Sequence, residues 1–145
     1  LVPTEWLAGC SSSYRHSVFD EQYFDPALDG YAMMEDTDFS YRVAQDAQVV
    51  IAPAARMVHH VSPVNRYDTT RYQRTALIHR YWFVEKNIRH PLRKPAFWWA
   101  TLGQCLAMTT SREPAKWAAL RGLLQGIRAI WRRDHPLLAS SPCGP

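Results

Sequence analysis

The apolar positions of this 145-residue chain change their spacing along its length. Early on they fall in short runs broken by proline, glycine and serine, the pattern of short strands and turns. PTEWLAG (3–9) reads as a strand ending at Gly9, and Ser11 to Ser13 offer N-caps for a brief helix over Tyr14–Asp20. FDPALDGY is rich in turn residues, and a helix is predicted from Asp36 to Asp46 with carboxylates crowding its first turn. QVVIAP is β-branched and stopped by Pro53, so it reads as a strand, and RMVHHV as a second one closed by Ser62-Pro63. A long helix is expected over Asp68–Asn87, where Leu77, Tyr81, Val84 and Ile88 step by four, three and four.

The last third is more apolar. PAFWWATLGQCLAM (95–108) holds fourteen residues without a formal charge, between Arg93-Lys94 and Arg112. A helix needs about twenty residues to span a bilayer, so this run is short for a crossing. The paired Trp98 and Trp99 favour a membrane interface. In KWAALRGLLQGIRAIWRR a helical wheel puts Trp117, Leu120, Leu124, Ile127 and Trp131 on one side, with Arg121, Arg128, Arg132 and Arg133 forming a basic side. Such a helix suits a headgroup surface, or packs on the protein's own core. The expected organisation is a folded region over 1–90, a hydrophobic and basic helical region over 91–135, and a flexible tail over 136–145.

Composition sharpens this division. With 47% hydrophobic and 21% charged residues the chain is globular, which excludes a disordered one. The net charge of +4 conceals a split. Residues 1–70 carry four arginines against ten carboxylates, a net of −6, and residues 71–145 carry thirteen Lys and Arg against three carboxylates, a net of +10. The acidic part suits chemistry or cation binding, the basic part an anionic surface. Cys10, Cys105 and Cys143 are odd in number and far apart, which excludes a disulfide framework or a zinc knuckle and suits a reducing compartment. The opening LVPTEW has no initiator Met and no signal-peptide core, and reads as the start of a piece of something longer.

Three clusters carry candidate chemistry. Glu35-Asp36-Thr37-Asp38 opens a predicted helix, where each carboxylate gains roughly 0.3–1 kcal/mol from the helix dipole. Three carboxylates within four residues also repel one another unless a cation or an acceptor hydroxyl engages them. His59-His60 ends a predicted strand, where adjacent residues face opposite ways, so one imidazole at most faces a given pocket and could ligate a divalent metal. Arg66, in the loop after Ser62-Pro63, has the bidentate geometry to clamp a phosphate.

Taken in order, WLAGCSSSYRHSVFD, FDPALDGYAMMEDTDFSYRV, VVIAPAARMVHHVSPVNR and HRYWFVEKN resemble the C-terminal half of family 2 glycosyltransferases. The resemblance runs from Trp6 to Asn87. It implies an α/β fold, the C-terminal half of a Rossmann-like GT-A domain followed by amphipathic helices. It implies transfer of a sugar from a nucleotide-diphosphate donor to an acceptor hydroxyl of a glycan or glycolipid, with inversion. Asp36 takes the role of catalytic base, and Glu35 orients acceptor hydroxyls or supports it. Trp6, Gly9 and Asp38 fall on the acceptor side. His59, placed better than His60 relative to Ser62-Pro63, matches a histidine that helps hold a divalent metal, Mg or Mn, and Arg66 reaches the leaving diphosphate. The nucleotide-binding half, with its D-x-D motif, is expected upstream of Leu1, so the isolated chain is expected to be inactive.

The expected partners are a nucleotide sugar, a glycan or glycolipid acceptor and an anionic membrane, with no nucleic acid. The expected location is cytoplasmic, peripheral on the inner face of the cell membrane. The alternatives are a non-catalytic basic module that binds membrane or nucleic acid, and a metal-dependent hydrolase using Asp36 and His59.

Overall fold

The computed structural model describes residues 1–28, 33–60 and 68–139. The chain divides into two compact units, Leu1–Val64 and Asn65–Pro145.

In the first unit, β1 (Val2–Pro3) pairs antiparallel with β2 (Val50–Ile51). Two short 3-10 turns, Gly9–Ser11 and His16–Asp20, lead towards helix α1 (Glu35–Val43). Phe39, fully buried on α1, anchors the core with Val43 and Val49. Tyr14 meets its ring edge-on at 4.9 Å, while Phe19 and Phe24 stack on it at 5.4 and 4.4 Å. Such aromatic pairs add about 0.5–1.5 kcal/mol each beyond area burial.

This overturns the expected Rossmann-like α/β fold. The described residues are mostly helical, and their only sheet is the two-stranded β1–β2 pair. The predicted strand over 3–9 stops at Pro3 because its later amides turn elsewhere. Leu7 N–H and Gly9 N–H donate to side chains of α1 rather than to a neighbouring strand. RMVHHV also forms no strand over its described residues: 56–60 are exposed and irregular.

The second unit is helical: α2 (Thr69–Asn87), α3 (Arg93–Thr110), α4 (Lys116–Arg132) and a single turn, α5 (Pro136–Ala139). Asp68 caps α2, its Oδ1 accepting from Arg71 N–H at 3.0 Å. Leu77 and Ile78 of α2, Phe97 of α3, Leu123, Ala129 and Ile130 of α4 and Leu138 of α5 form one buried core. The axes of α2 and α4 come close because α4 presents glycines. A Cβ at Gly122 would fall on the Thr70 carbonyl oxygen, and one at Gly126 would lie 3.0 Å from Leu77 Cδ2. The turn α5, with Leu137 and Leu138 buried, occupies the start of the stretch read as a flexible tail. The rest of that stretch, 140–145, lies outside the described residues. Among the described residues no helix is long and apolar enough to cross a membrane.

Candidate active site

The site grows from the way α1 begins. Met34 sits before the helix at φ 74°, a left-handed conformation costing about 1–3 kcal/mol for a residue with a Cβ. No side chain caps the helix from Met34, and the first turn holds Glu35, Asp36 and Asp38 in place of a conventional cap. Asp36 Oδ1 accepts from Thr37 N–H at 2.8 Å.

The loop after β1 is stitched onto this turn at two points. Gly9 N–H donates to Asp36 Oδ2, across 27 residues of sequence. Leu7 N–H donates to Ser40 Oγ at 2.8 Å, and that hydroxyl donates to the Asp36 carbonyl at 2.6 Å. A Cβ on Gly9 would stand 2.8 Å from Asp36 Oδ2, so the close approach requires glycine. Trp6, just upstream of the stitched residues, is half exposed at 50%. It lines a groove of about 650 Å³ with Leu7, Ser11, Ser12, Ile51 and Met57 among its neighbours. Asp36 is not among the residues lining that groove.

Asp38 is fully buried and faces Arg42, whose Nε lies 3.0 Å from Asp38 Oδ2. Arg42 also donates to Gln22 Oε1 at 2.9 Å and to the Tyr23 carbonyl at 2.6 Å. Asp38 therefore fastens α1 to the segment after the second 3-10 turn. Glu35 is exposed on the first turn of α1. His59 and His60 are both exposed beyond β2, and neither hydrogen-bonds Asp36, whose side-chain partners among the described residues are Gly9 and Thr37. Arg66 lies outside the described residues, as do Gly30, Tyr31 and Ser62-Pro63. Of the expected site residues the structure thus brings together Asp36 and Gly9, with Trp6 on the same loop.

Among the described residues no three His, Cys, Asp or Glu side chains gather to hold a metal ion. Among the described residues His59 has no companion ligands for a divalent ion.

No protein-family model matches this chain, and neither a curated protein nor a solved structure matches it significantly. What the site can do therefore rests on its own geometry. A carboxylate offers about four lone-pair sites. Gly9 and Thr37 amides occupy one on each oxygen. Among the described residues, two backbone donors and, at 3.5 Å, the Thr37 hydroxyl hold the half-buried carboxylate.

Ser40 is the residue that sequence reasoning passed over. It stands four positions after Asp36, one helical turn along the same face, and that spacing is the signal that could have found it.

Proposed function

We propose that this chain carries the general base and the acceptor side of an inverting, nucleotide-sugar-dependent glycosyltransferase. The observation that supports this most is the Gly9 amide donating to Asp36 Oδ2. The W-x-x-G and E-D-x-D segments, which the family resemblance sets on one side of a cleft, are in contact here despite their distance in sequence. The reading rests on this site and not on a Rossmann-like fold, since function resides in sites rather than folds.

Asp36 accepts the proton of an acceptor hydroxyl as that oxygen attacks the anomeric carbon of the donor. The bond from that carbon to the diphosphate breaks, nucleoside diphosphate leaves with the electron pair, and the configuration inverts. The Gly9 and Thr37 amides keep the carboxylate aimed, and Trp6 offers its exposed ring to the acceptor. Donor-binding groups are supplied by residues outside this chain. A peripheral position on the inner face of the cell membrane belongs to the same reading, because a glycolipid acceptor lies at that surface.

The test is sugar transfer by the full-length parent protein, screened over nucleotide sugars and followed as nucleoside diphosphate released in the presence of acceptor. Asp36→Asn is expected to lower the rate about 10²–10⁴-fold. Transfer at near wild-type rate by that variant removes Asp36 from the chemistry.

A further inference from the structure

Helix α4 is apolar on two faces: one packs inside the protein and the other is largely exposed, although Trp131 meets Trp98 of α3 edge-on at 6.1 Å. Ala119, Gly122, Leu123, Gly126, Ala129 and Ile130 turn inward against α2 and the core. Ile127, which a helical wheel groups with the outer stripe, packs against that core as well. Trp117, Leu124 and Trp131 remain outside, 64%, 55% and 76% exposed. Their spacing of seven keeps them in one stripe along the helix. Two exposed Trp side chains about four turns apart, with an exposed leucine midway between them, are unusual on a surface that meets only water.

Charge indicates what this stripe meets. Arg121, Arg128 and Arg132 are exposed and, at 100° per residue, fall beside Trp117 and Leu124 on the same outward face. They do not form a separate basic side. Trp117, Leu120, Arg121, Leu124, Gln125 and Arg128 line a shallow groove of about 520 Å³ along the helix. Lys116 through Arg132 contain no acidic residue, and among the described residues none of the three arginines makes an ion pair. A second copy of the chain would set arginine against arginine here. Nucleic acid would engage the arginines and indoles but give Leu120 and Leu124 nothing to bury against. An anionic bilayer engages all of them. Indoles settle at the headgroup level, leucines reach the acyl boundary, and guanidinium groups remain with lipid phosphates.

We infer that the outward stripe of α4, Trp117, Leu124 and Trp131 with Arg121, Arg128 and Arg132, lies flat in the interface of a membrane rich in anionic lipid. This rests on the peripheral placement proposed above and assigns it to one helix face. It does not depend on the sugar chemistry. The helix meets lipid without leaving its place in the core, since the residues facing α2 are different ones.

The test is co-sedimentation of the full chain with phosphatidylcholine vesicles, with and without phosphatidylserine. Binding is expected only with phosphatidylserine and is expected to weaken with added salt. Each arginine near an anionic surface contributes about a fivefold change in partitioning, so Arg121→Gln with Arg128→Gln is expected to lower it about 25-fold. Trp117→Ser with Trp131→Ser is expected to lower it at least as far. All four positions are solvent-exposed, and an unchanged circular dichroism spectrum certifies the fold. Binding that survives both pairs of substitutions overturns the assignment to α4 while leaving the peripheral placement standing. No binding to either vesicle overturns both. Vesicle binding that is indifferent to phosphatidylserine, or salt-steep binding to duplex DNA exceeding that to vesicles, also overturns the inference.

Discussion

At the scale of single residues, the site depends on how closely one backbone amide approaches one carboxylate. Gly9 does not adopt a left-handed φ, so an alanine there suits the backbone, and the added Cβ acts on Asp36 Oδ2, 2.8 Å away. Gly9→Ala is therefore expected to fold normally while turning the carboxylate aside. Displacing a catalytic group by even about 1 Å can lower a rate about 10²-fold. A loss of that order in transfer rate, with an unchanged melting temperature, is the expected outcome, and an unchanged rate shows that the contact does not position the base. Some of this was legible in the sequence. Asp36 stands out as a carboxylate in a helix-opening acidic run, and α1 follows from that run. The role of Asp38 was not legible, because nothing local distinguishes a carboxylate that faces an acceptor from one that buries itself against Arg42 four residues on. Ser40 was hidden for a similar reason: its partner Leu7 lies 33 residues away.

At the scale of elements, helices were more legible than strands: β2 (Val50–Ile51) falls within the strand read in QVVIAP, while the strands read over 3–9 and in RMVHHV did not form as expected. The four-three-four spacing through Leu77, Tyr81, Val84 and Ile88 sets α2 within a residue of its observed start at Thr69. The strand predicted over 3–9 failed because tertiary hydrogen bonds to α1 claimed the amides a sheet would have used. In α4 the hydrophobic wheel marked the outward stripe more strongly than the core face, because the core face is built partly of glycine, which adds no hydropathy. Gly122 and Gly126, four apart, were the overlooked sign of a close helix approach. Gly122→Ala drives a Cβ into the Thr70 carbonyl, on the backbone of α2, so the helices must separate. A loss of about 1–3 kcal/mol is expected in denaturant unfolding. Gly103→Ala on α3, where an added Cβ meets nothing within 4 Å, is expected to stabilise by about 0.5–1 kcal/mol. Equal effects at the two positions contradict the packing described for α2 and α4.

At the scale of the whole molecule, the proposed chemistry and the proposed attachment fall in different units. The first unit holds the Asp36 carboxylate bonded to Gly9 and a separate groove lined by the exposed Trp6 indole, and the second is a helical unit with a basic, aromatic outer face. The change of charge near residue 70 was visible in sequence and falls close to the division between the units at 64 and 65. The Rossmann-like sheet came from the family resemblance, whereas among the described residues strand pairing covers only Val2–Pro3 with Val50–Ile51. The central claim is that Asp36 removes a proton during sugar transfer, and acceptor acidity tests it most directly. A general base matters less as the acceptor hydroxyl becomes more acidic. Transfer by the full-length parent and its Asp36→Asn variant is to be compared for a sugar alcohol and for a phenolic acceptor. The account predicts a large loss with the alcohol and a much smaller one with the phenol. An equal loss with both acceptors contradicts it, and leaves Asp36 as no more than the carboxylate that ties Gly9 to the helix.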